Sequence, residues 1–400
     1  MTERVAPVAN RRAVLGAMFL MATSAIGPGF LTQTSVFTVK LGAAFAFAII
    51  VSIIVDIAVQ LNVWRVLSLS GMRAHELGNT LLPGLGWVLA AFVFLGGAVF
   101  NIGNIAGTGL GVNAMLGSDP TMGGVVSSLI AVLVFVSRKA GAALDRIVMV
   151  LGLLMVLLMA YVAVISNPPV GEALKNTVAP AKVDFLAITT VTGGTVGGYI
   201  TFAGAHRMID SGHTGRENIK AITRGSISGI IVTGVMRILL FLAVLGVVAT
   251  GVALSKDNTA ADAFYHAAGE AGKRMFGVVL WAAGLSSVIG ASYTSVSFVT
   301  TQKTNERLRK WLTIAFIVVC TVVYAVLHKA PQTLLIFAGA FNGLILPLGF
   351  GIVLWAAWRR RDLLDNYKYP AWLLVGGVLI WVFTVYMGVK SLTGITQLWH

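Results

Sequence analysis

Charge is what this chain has least of. Aspartate, glutamate, lysine and arginine make up 11% of its 400 residues, where soluble globular domains carry roughly 25%. Hydrophobic residues make up 57%, and the mean hydropathy is +0.87. Such a composition excludes a water-facing surface over most of the chain and points to lipid as its surroundings. Cysteine is nearly missing as well: Cys320 stands alone, so neither an intrachain disulfide nor a cysteine metal cluster can form. An H-E-x-x-H pair, a nucleophile elbow and a P-loop are all lacking, and no enzyme is expected.

What fills the chain instead is a near-continuous series of apolar stretches, each long enough to cross ~30 Å of hydrocarbon as a helix. They predict about eleven spans, at 13–38, 43–64, 87–116, 121–137, 147–166, 186–206, 226–250, 275–300, 311–327, 332–357 and 370–390. The first lacks a small-residue cleavage site and reads as a retained helix. The longest loops, 167–185 and 251–272, leave no room for a soluble domain. Basic residues exceed acidic ones, 29 to 15, for a net charge of +14. That excess is no nucleic-acid footprint, because 20 of the 29 lysines and arginines fall in alternate short loops. The positive-inside rule then places the N-terminus in the cytoplasm and, with eleven spans, the C-terminus outside a cell inner (plasma) membrane.

Two spans look interrupted. The first contains Ile26-Gly27-Pro28-Gly29, where Pro28 lacks an N–H and the glycines weaken the helix. The sixth contains Gly193-Gly194-Thr195-Val196-Gly197-Gly198. These positions correspond if helices 1–5 (about 13–166) and 6–10 (about 186–357) are inverted repeats, with 370–390 as an extra helix. Paired breaks in two halves are the best sequence pointer to a transporter's midplane site; the alternative is that the glycines only let helices pack closely.

Several fragments resemble one family in order. They are Ile26-Gly27-Pro28-Gly29-Phe30 with Leu41-Gly42; Gln60, Ser70-Gly71 and Ala74-His75-Glu76; Asn101-Ile102-Gly103-Asn104-Ile105-Ala106-Gly107-Thr108 with Asn113; Ala283-Gly284-Leu285-Ser286-Ser287 with Tyr293; and Leu346-Pro347. Through most of its length the chain is similar to the NRAMP-like transporters. That resemblance implies an all-α membrane protein of the LeuT-type 5+5 inverted-repeat fold, one transmembrane domain over 1–400, with helices 1 and 6 broken. The departures matter as much. In the family an Asp-Pro-Gly-Asn tetrad, a methionine in helix six and a glutamine in helix ten hold a divalent metal. Here Gly27 and Phe30 stand for the Asp and Asn, Thr201 or Ala203 for the methionine, and Gly339 or Asn342 for the glutamine. The acidic pair of helix three becomes Asn101 and Asn104. A stripped dication needs anionic oxygen, nitrogen or sulfur around it, so no metal site and no cofactor are expected.

A helix starting near Gly29 offers free N–H groups and a positive dipole end, which suit an anion. The expected substrate residues are Gly27, Pro28, Gly29, Phe30, Thr32, Gln33, Gly197, Gly198, Thr201 and Asn342. The sequence also resembles the NRAMP-like bacterial branch often encoded beside 5-oxoprolinase subunits, which implies 5-oxoproline as a concrete candidate. For coupling or gating the candidates are Asp56, Asn101, Asn104, His206, Arg207, Arg237, Ser286 and Ser287. Asp56 and Arg237, both deep in spans, could form an ion pair. Expected partners are a small-molecule substrate, the bilayer, and a proton or sodium ion, with no nucleic acid. Two alternatives stay open: a divalent cation such as manganese or magnesium as cargo, and a passive channel or sensor.

Overall fold

The computed structural model describes residues 25–136, 138–300, 304–327 and 329–398, with the side chains of 138–149 left aside. Residues 13–24 of the first expected span and the basic residues Arg4, Arg11, Arg12 and Lys303 lie outside the described residues. Among the described residues there are helices and turns and no strand.

The helices run in chain order: α1 (Pro28–Leu41), α2 (Phe45–Ser70), α3 (Ala74–Leu81), α4 (Leu85–Leu116), α5 (Pro120–Val136), α6 (Arg138–Ile165) and α7 (Val170–Val178). They continue with α8 (Phe185–Val196), α9 (Ile200–Asp210), α10 (Ile219–Ala249), α11 (Thr259–Phe298), α12 (Glu306–Leu327), α13 (Pro331–Arg359) and α14 (Ala371–Gln397). Eight stretches are long and apolar enough to cross a membrane, a ninth pair, within α6 and α7, is bent by 106°, and Pro120–Val136 is a shorter apolar helix. One of the eight is Pro28–Ser70, 43 residues long. A straight helix of that length would measure ~65 Å, about twice the hydrocarbon thickness. Gly42, at φ 55 and ψ −138, breaks it into α1 and α2. With that division, the ten expected spans from 43–64 onward coincide with helical structure wherever their residues are described, the sixth with a break, and of the first only the part from Ala25 on is described. Valine, leucine and tryptophan side chains on the outer faces, among them Val150, Leu153, Trp87, Trp311, Trp358 and Trp372, are exposed, as lipid contact requires.

The structure adds two short helices where loops were expected. In α3, the Glu76 carboxylate accepts the backbone N–H of Arg73 at 2.8 Å, closing the first turn. In α7, Pro168 and Pro169 stop the preceding helix and Glu172 sits in the new first turn. Neither is apolar enough to register as a span. Likewise α11 starts at Thr259, well before the expected 275, and bends at Ala268–Gly269.

Packing relies on small residues that let backbones approach. α8 and α13 approach closely at Gly193, where a Cβ would lie 2.1 Å from the Gly339 carbonyl oxygen and 2.3 Å from the Gly343 nitrogen. α4 lies along α11 in the same way: a Cβ on Gly111 would fall 2.6 Å from the Trp281 nitrogen.

Candidate functional site

Both expected breaks are present. Ala25 is helical, Ile26 and Gly27 are not, and α1 restarts at Pro28. Gly27 is extended, at φ −108 and ψ −173, and caps the new helix with Pro28 in its first turn. Proline suits that place, since its fixed φ fits the helix and its missing N–H needs no partner. The Leu31 N–H returns to the Gly27 carbonyl at 3.3 Å, which leaves the first-turn amides of Gly29 and Phe30 without an intrahelical acceptor. The Pro28 ring is wedged between Gly107 and Gly284, where added Cβ atoms would lie 2.0 and 3.1 Å from its carbons. Ser287 and Asn104 close over Gly27.

The second break lies at the end of the Gly193–Gly198 run and is narrower than it. α8 ends at Val196, Gly197–Tyr199 are non-helical, and α9 begins at Ile200. Gly198 has φ +55, which L side chains rarely adopt. Thr201, expected to touch substrate, donates its hydroxyl to the Val196 carbonyl and so bridges the break. None of Gly197, Gly198 and Tyr199 carries a thioether; Met208 lies over two turns further along α9. Tyr199 is fully buried, with its ring 5.6 Å from that of Phe100 and its hydroxyl toward Asn104.

Two neutral amides join the breaks to the rest. Gln33 Nε2 donates to the Leu335 carbonyl at 2.9 Å, and its amide sits in a slot bounded by Gly29, Gly194 and Gly339. Asn342 Nδ2 donates to the carbonyls of Gly96 at 3.0 Å and Ala338 at 2.9 Å, and its Oδ1 rests against Gly198. Gln33 Oε1 and Asn342 Oδ1 are buried with no hydrogen-bond partner, and the buried Tyr199 hydroxyl and Asn104 amide face only each other, without a well-formed hydrogen bond. Buried polar groups without partners are costly and rare, so their gathering at the breaks makes this the candidate site. Thr32 is buried one turn past the break.

Arg237, in the middle of α10, reaches the same region. Its guanidinium carbon lies 4.3 Å from the centroid of the Phe30 ring, and Nη1 donates to the Val191 carbonyl of α8 at 3.1 Å. The expected ion pair with Asp56 is not formed: the two charges act on each other through space, but Asp56 Oδ1 and Arg237 Nε and Nη2 have no partner. Asn101 and Asn104 also part company. Asn101 Nδ2 donates to Ser292 on α11 at 3.1 Å, whereas Asn104 faces the first break. Ser287 is buried against Gly27, and Ser286 is only half-buried.

His206 belongs to a different cluster, two turns beyond Tyr199 and so ~10 Å along α9. Its Nε2 accepts the Ala74 N–H at 3.2 Å, and Nδ1 lies 3.5 Å from Ser297 Oγ. Beside it, Arg73 pairs with Asp210 at 2.8 Å and donates to the carbonyls of Ser297 and Thr300. Arg207 is exposed and takes no part. Arg73 counted in the sequence only toward topology; Glu76 three residues on was the one signal that it starts a helix. His75 packs between Trp87 and Phe298, and burial holds its imidazole below the usual histidine range, Glu76 opposing and Arg73 reinforcing. At the far end of the breaks, Lys40 of α1 pairs with Asp184, the N-cap of α8, at 2.8 Å.

Residues 18–394 match the Nramp family model, natural resistance-associated macrophage protein-like. The chain belongs to the Nramp family. Its relatives include uncharacterized membrane proteins of Bacillus subtilis (YcsG, 48% identical over 96% of both chains) and of Haemophilus influenzae (49% identical over 96% of this chain and 95% of that one). A manganese transporter of Eremococcus coleocola superposes with a TM-score of 0.74 at 16% identity, over 99% of this chain and 91% of the other. MhsT in complex with L-phenylalanine superposes with a TM-score of 0.70, also at 16% identity, over 96% and 98%. The Nramp chain therefore has the LeuT fold. It is a multi-pass membrane transporter and not an enzyme.

Among the described residues of this Nramp protein, no group of three or more His, Cys, Asp or Glu side chains is placed to hold a metal ion. The break offers backbone amides, neutral carboxamides, a phenol and one guanidinium.

Proposed function

We propose that this protein is a secondary-active transporter of a small organic carboxylate or amino-acid-like solute, with 5-oxoproline as the concrete candidate and a proton or sodium ion as the coupling ion. The observation that carries this reading is the donor set at the first break. Gly27 and Phe30 contribute no ligand atom, and the groups that do converge there are neutral or cationic. A divalent ion stripped of water has nothing anionic to meet, and its desolvation stays uncompensated. A carboxylate meets the first-turn amides of α1 and the positive end of its dipole, where charge-assisted hydrogen bonds are worth roughly 1.5–3 kcal/mol each. The lactam or amine end of such a solute finds acceptors and donors in Gln33 Oε1 and Tyr199 Oη.

The fold is neutral between cargoes, since one solved neighbour carries manganese and another holds L-phenylalanine. The donor chemistry is what separates them. The distribution of basic residues supports an inner-membrane orientation with the N-terminus cytoplasmic and the C-terminus outside. Uptake of labelled 5-oxoproline into proteoliposomes, with and without a pH gradient, tests the reading together with calorimetry using manganese. Saturable uptake and no micromolar manganese binding support it. A tight manganese site that depends on residues 27–34, or no carboxylate uptake, removes it.

A further inference from the structure

We propose that Arg237 is the anchor for the solute's carboxylate, and that Asp56 is the acceptor of the proton that crosses with it. The inference rests on the carboxylate reading above and assigns it a residue and a stoichiometry.

A guanidinium has one edge formed by Nε and Nη2 and another by Nη1 and Nη2. In Arg237 the Val191 carbonyl takes Nη1, while Nε and Nη2 have no partner. The side-on edge, the one that binds a carboxylate with two parallel N–H···O bonds, is therefore unused on a residue only 2% exposed. Arginine remains charged here, and a buried cation with unused donors is strongly unfavourable unless something anionic meets it. The guanidinium lies over the Phe30 ring, 4.3 Å from its centroid, and is held there by cation–π attraction. Phe30 lies three residues past the first break and Val191 six before Gly197, so the unbroken α10 presents its cation between the two broken helices. A charge that served only to hold α10 would spend its edge on protein oxygens.

Asp56 supplies the reason for a coupled proton. It is 1% exposed, its Oδ1 has no partner, and Arg237 is the charged group that acts on it. α2 itself carries Arg65, and the elements packed against it carry Lys40 on α1, His75 and Glu76 on α3, Glu172 and Lys175 on α7, His206, Arg207 and Asp210 on α9, Lys220 and Arg224 on α10, Arg359 on α13, Arg361 and Asp362 in the turn after it, and Lys390 on α14. None of these acts on Asp56. The break thus holds one positive charge, balanced through space by the negative charge of Asp56 on α2. A carboxylate arriving at Arg237 would leave a net negative charge in a low-dielectric interior, which is strongly unfavourable. Protonation of Asp56 from the water on the side of arrival forms one O–H bond and restores neutrality. On the other side the solute leaves, the proton returns to water, and Asp56 again balances Arg237. One proton moves per carboxylate and no net charge crosses.

The test uses the full-length protein in proteoliposomes with labelled 5-oxoproline. Wild type should accumulate the label when the outside is acidic and should pass no current on a supported membrane. Replacing Arg237→Lys keeps the charge but not the fork and should raise KM about 10-fold or more, the loss of one charge-assisted bond. Arg237→Gln should abolish saturable uptake. Asp56→Asn should still exchange 5-oxoproline across the membrane, but without pH-driven accumulation and without the wild-type pH profile. Thermal unfolding in detergent reports whether each variant is folded; should Arg237→Gln fail to fold, Arg237→Lys and Asp56→Asn decide. Wild type that moves no carboxylate defeats the functional reading as a whole. Wild type that moves 5-oxoproline while folded Arg237→Lys keeps its KM within two-fold, or Asp56→Asn keeps the pH profile, or uptake carries current, overturns this inference alone.

Discussion

The slot around Gln33 makes a sharp demand on Gly194. A methyl at that position would lie 2.4 Å from Gln33 Oε1 and 3.2 Å from its Cδ and Nε2, and these three atoms are its nearest neighbours. Ordinary contact requires about 3.5 Å, so the overlap with Oε1 is about 1 Å. Overpacking of this kind costs typically ~1–3 kcal/mol. The amide can escape only by abandoning its 2.9 Å bond to the Leu335 carbonyl, which is worth ~0.5–1.5 kcal/mol. Gly194→Ala should therefore destabilise the protein by about 2 kcal/mol. In a Gln33→Ala background the clash disappears, and the same substitution should cost less than ~0.5 kcal/mol, a coupling well inside the range for residues in contact. Gly339→Ala is the internal control. Its Cβ would meet Gln33 Nε2 at 2.3 Å but also the Thr190 carbonyl oxygen at 2.7 Å, so Gln33→Ala should rescue it only in part. Unfolding in mixed micelles by titration with SDS, followed by tryptophan fluorescence, measures the wild type and all five variants. Additive costs for Gly194→Ala and Gln33→Ala, or a neutral Gly194→Ala, would refute the packing argument.

Three further outcomes are expected. Gly198→Ala places a methyl 1.7 Å from Asn342 Oδ1 at φ +55, so Asn342→Gly should relieve only part of its cost, the backbone strain of ~1–2 kcal/mol remaining in the same titration. Burial pushes the Asp184 carboxyl up, but the Lys40 ammonium and the Ala187 N–H outweigh it and hold it below the usual range. Its contribution is thus present above pH ~4 and lost as pH falls through the folded value; Asp184→Ala should cost ~1 kcal/mol at pH 7 and progressively less in unfolding experiments at more acidic pH. Asp210→Asn removes the carboxylate from Arg73, and a cysteine introduced by Ser297→Cys in a Cys320→Ser background should then react with a maleimide about 10-fold faster, as the loss of one charge-assisted bond implies; an unchanged rate would mean that the pair holds nothing shut.

Much of the fold was legible because a membrane helix announces itself by length and apolarity. Pro28 told the position of the first break to within a residue. The second was blurred because glycine serves two purposes that look the same in a sequence. Gly193 and Gly194 are there for close approach to α13 and Gln33, and only Gly197 and Gly198 let the chain leave the helix. The same ambiguity hid Thr201, whose hydroxyl is consumed by a backbone carbonyl. α3 and α7 escaped because helices of eight or nine mixed residues resemble loops on a hydropathy scale. Arg237 and Asp56 stood out as charges within spans, but a sequence does not say that Phe30 lies under the guanidinium or that the two charges fail to touch. Arg73 was hidden by its own usefulness as a marker of sidedness.

The glycines that line the breaks also bear on how cargo changes in evolution. A ligand side chain at position 27 would begin with a Cβ 2.6 Å from Ser287 Oγ; at 197 it would begin 2.5 Å from the Gly193 carbonyl; at 339, 2.7 Å from that of Thr190. Two of those three obstacles are main chain and cannot step aside. A side chain added at any of these glycines is penalised before any ion is held, so a metal-binding set could not be built there one residue at a time. The backbones would have to part first, so the closeness of α8 and α13 sets the order in which such changes could come.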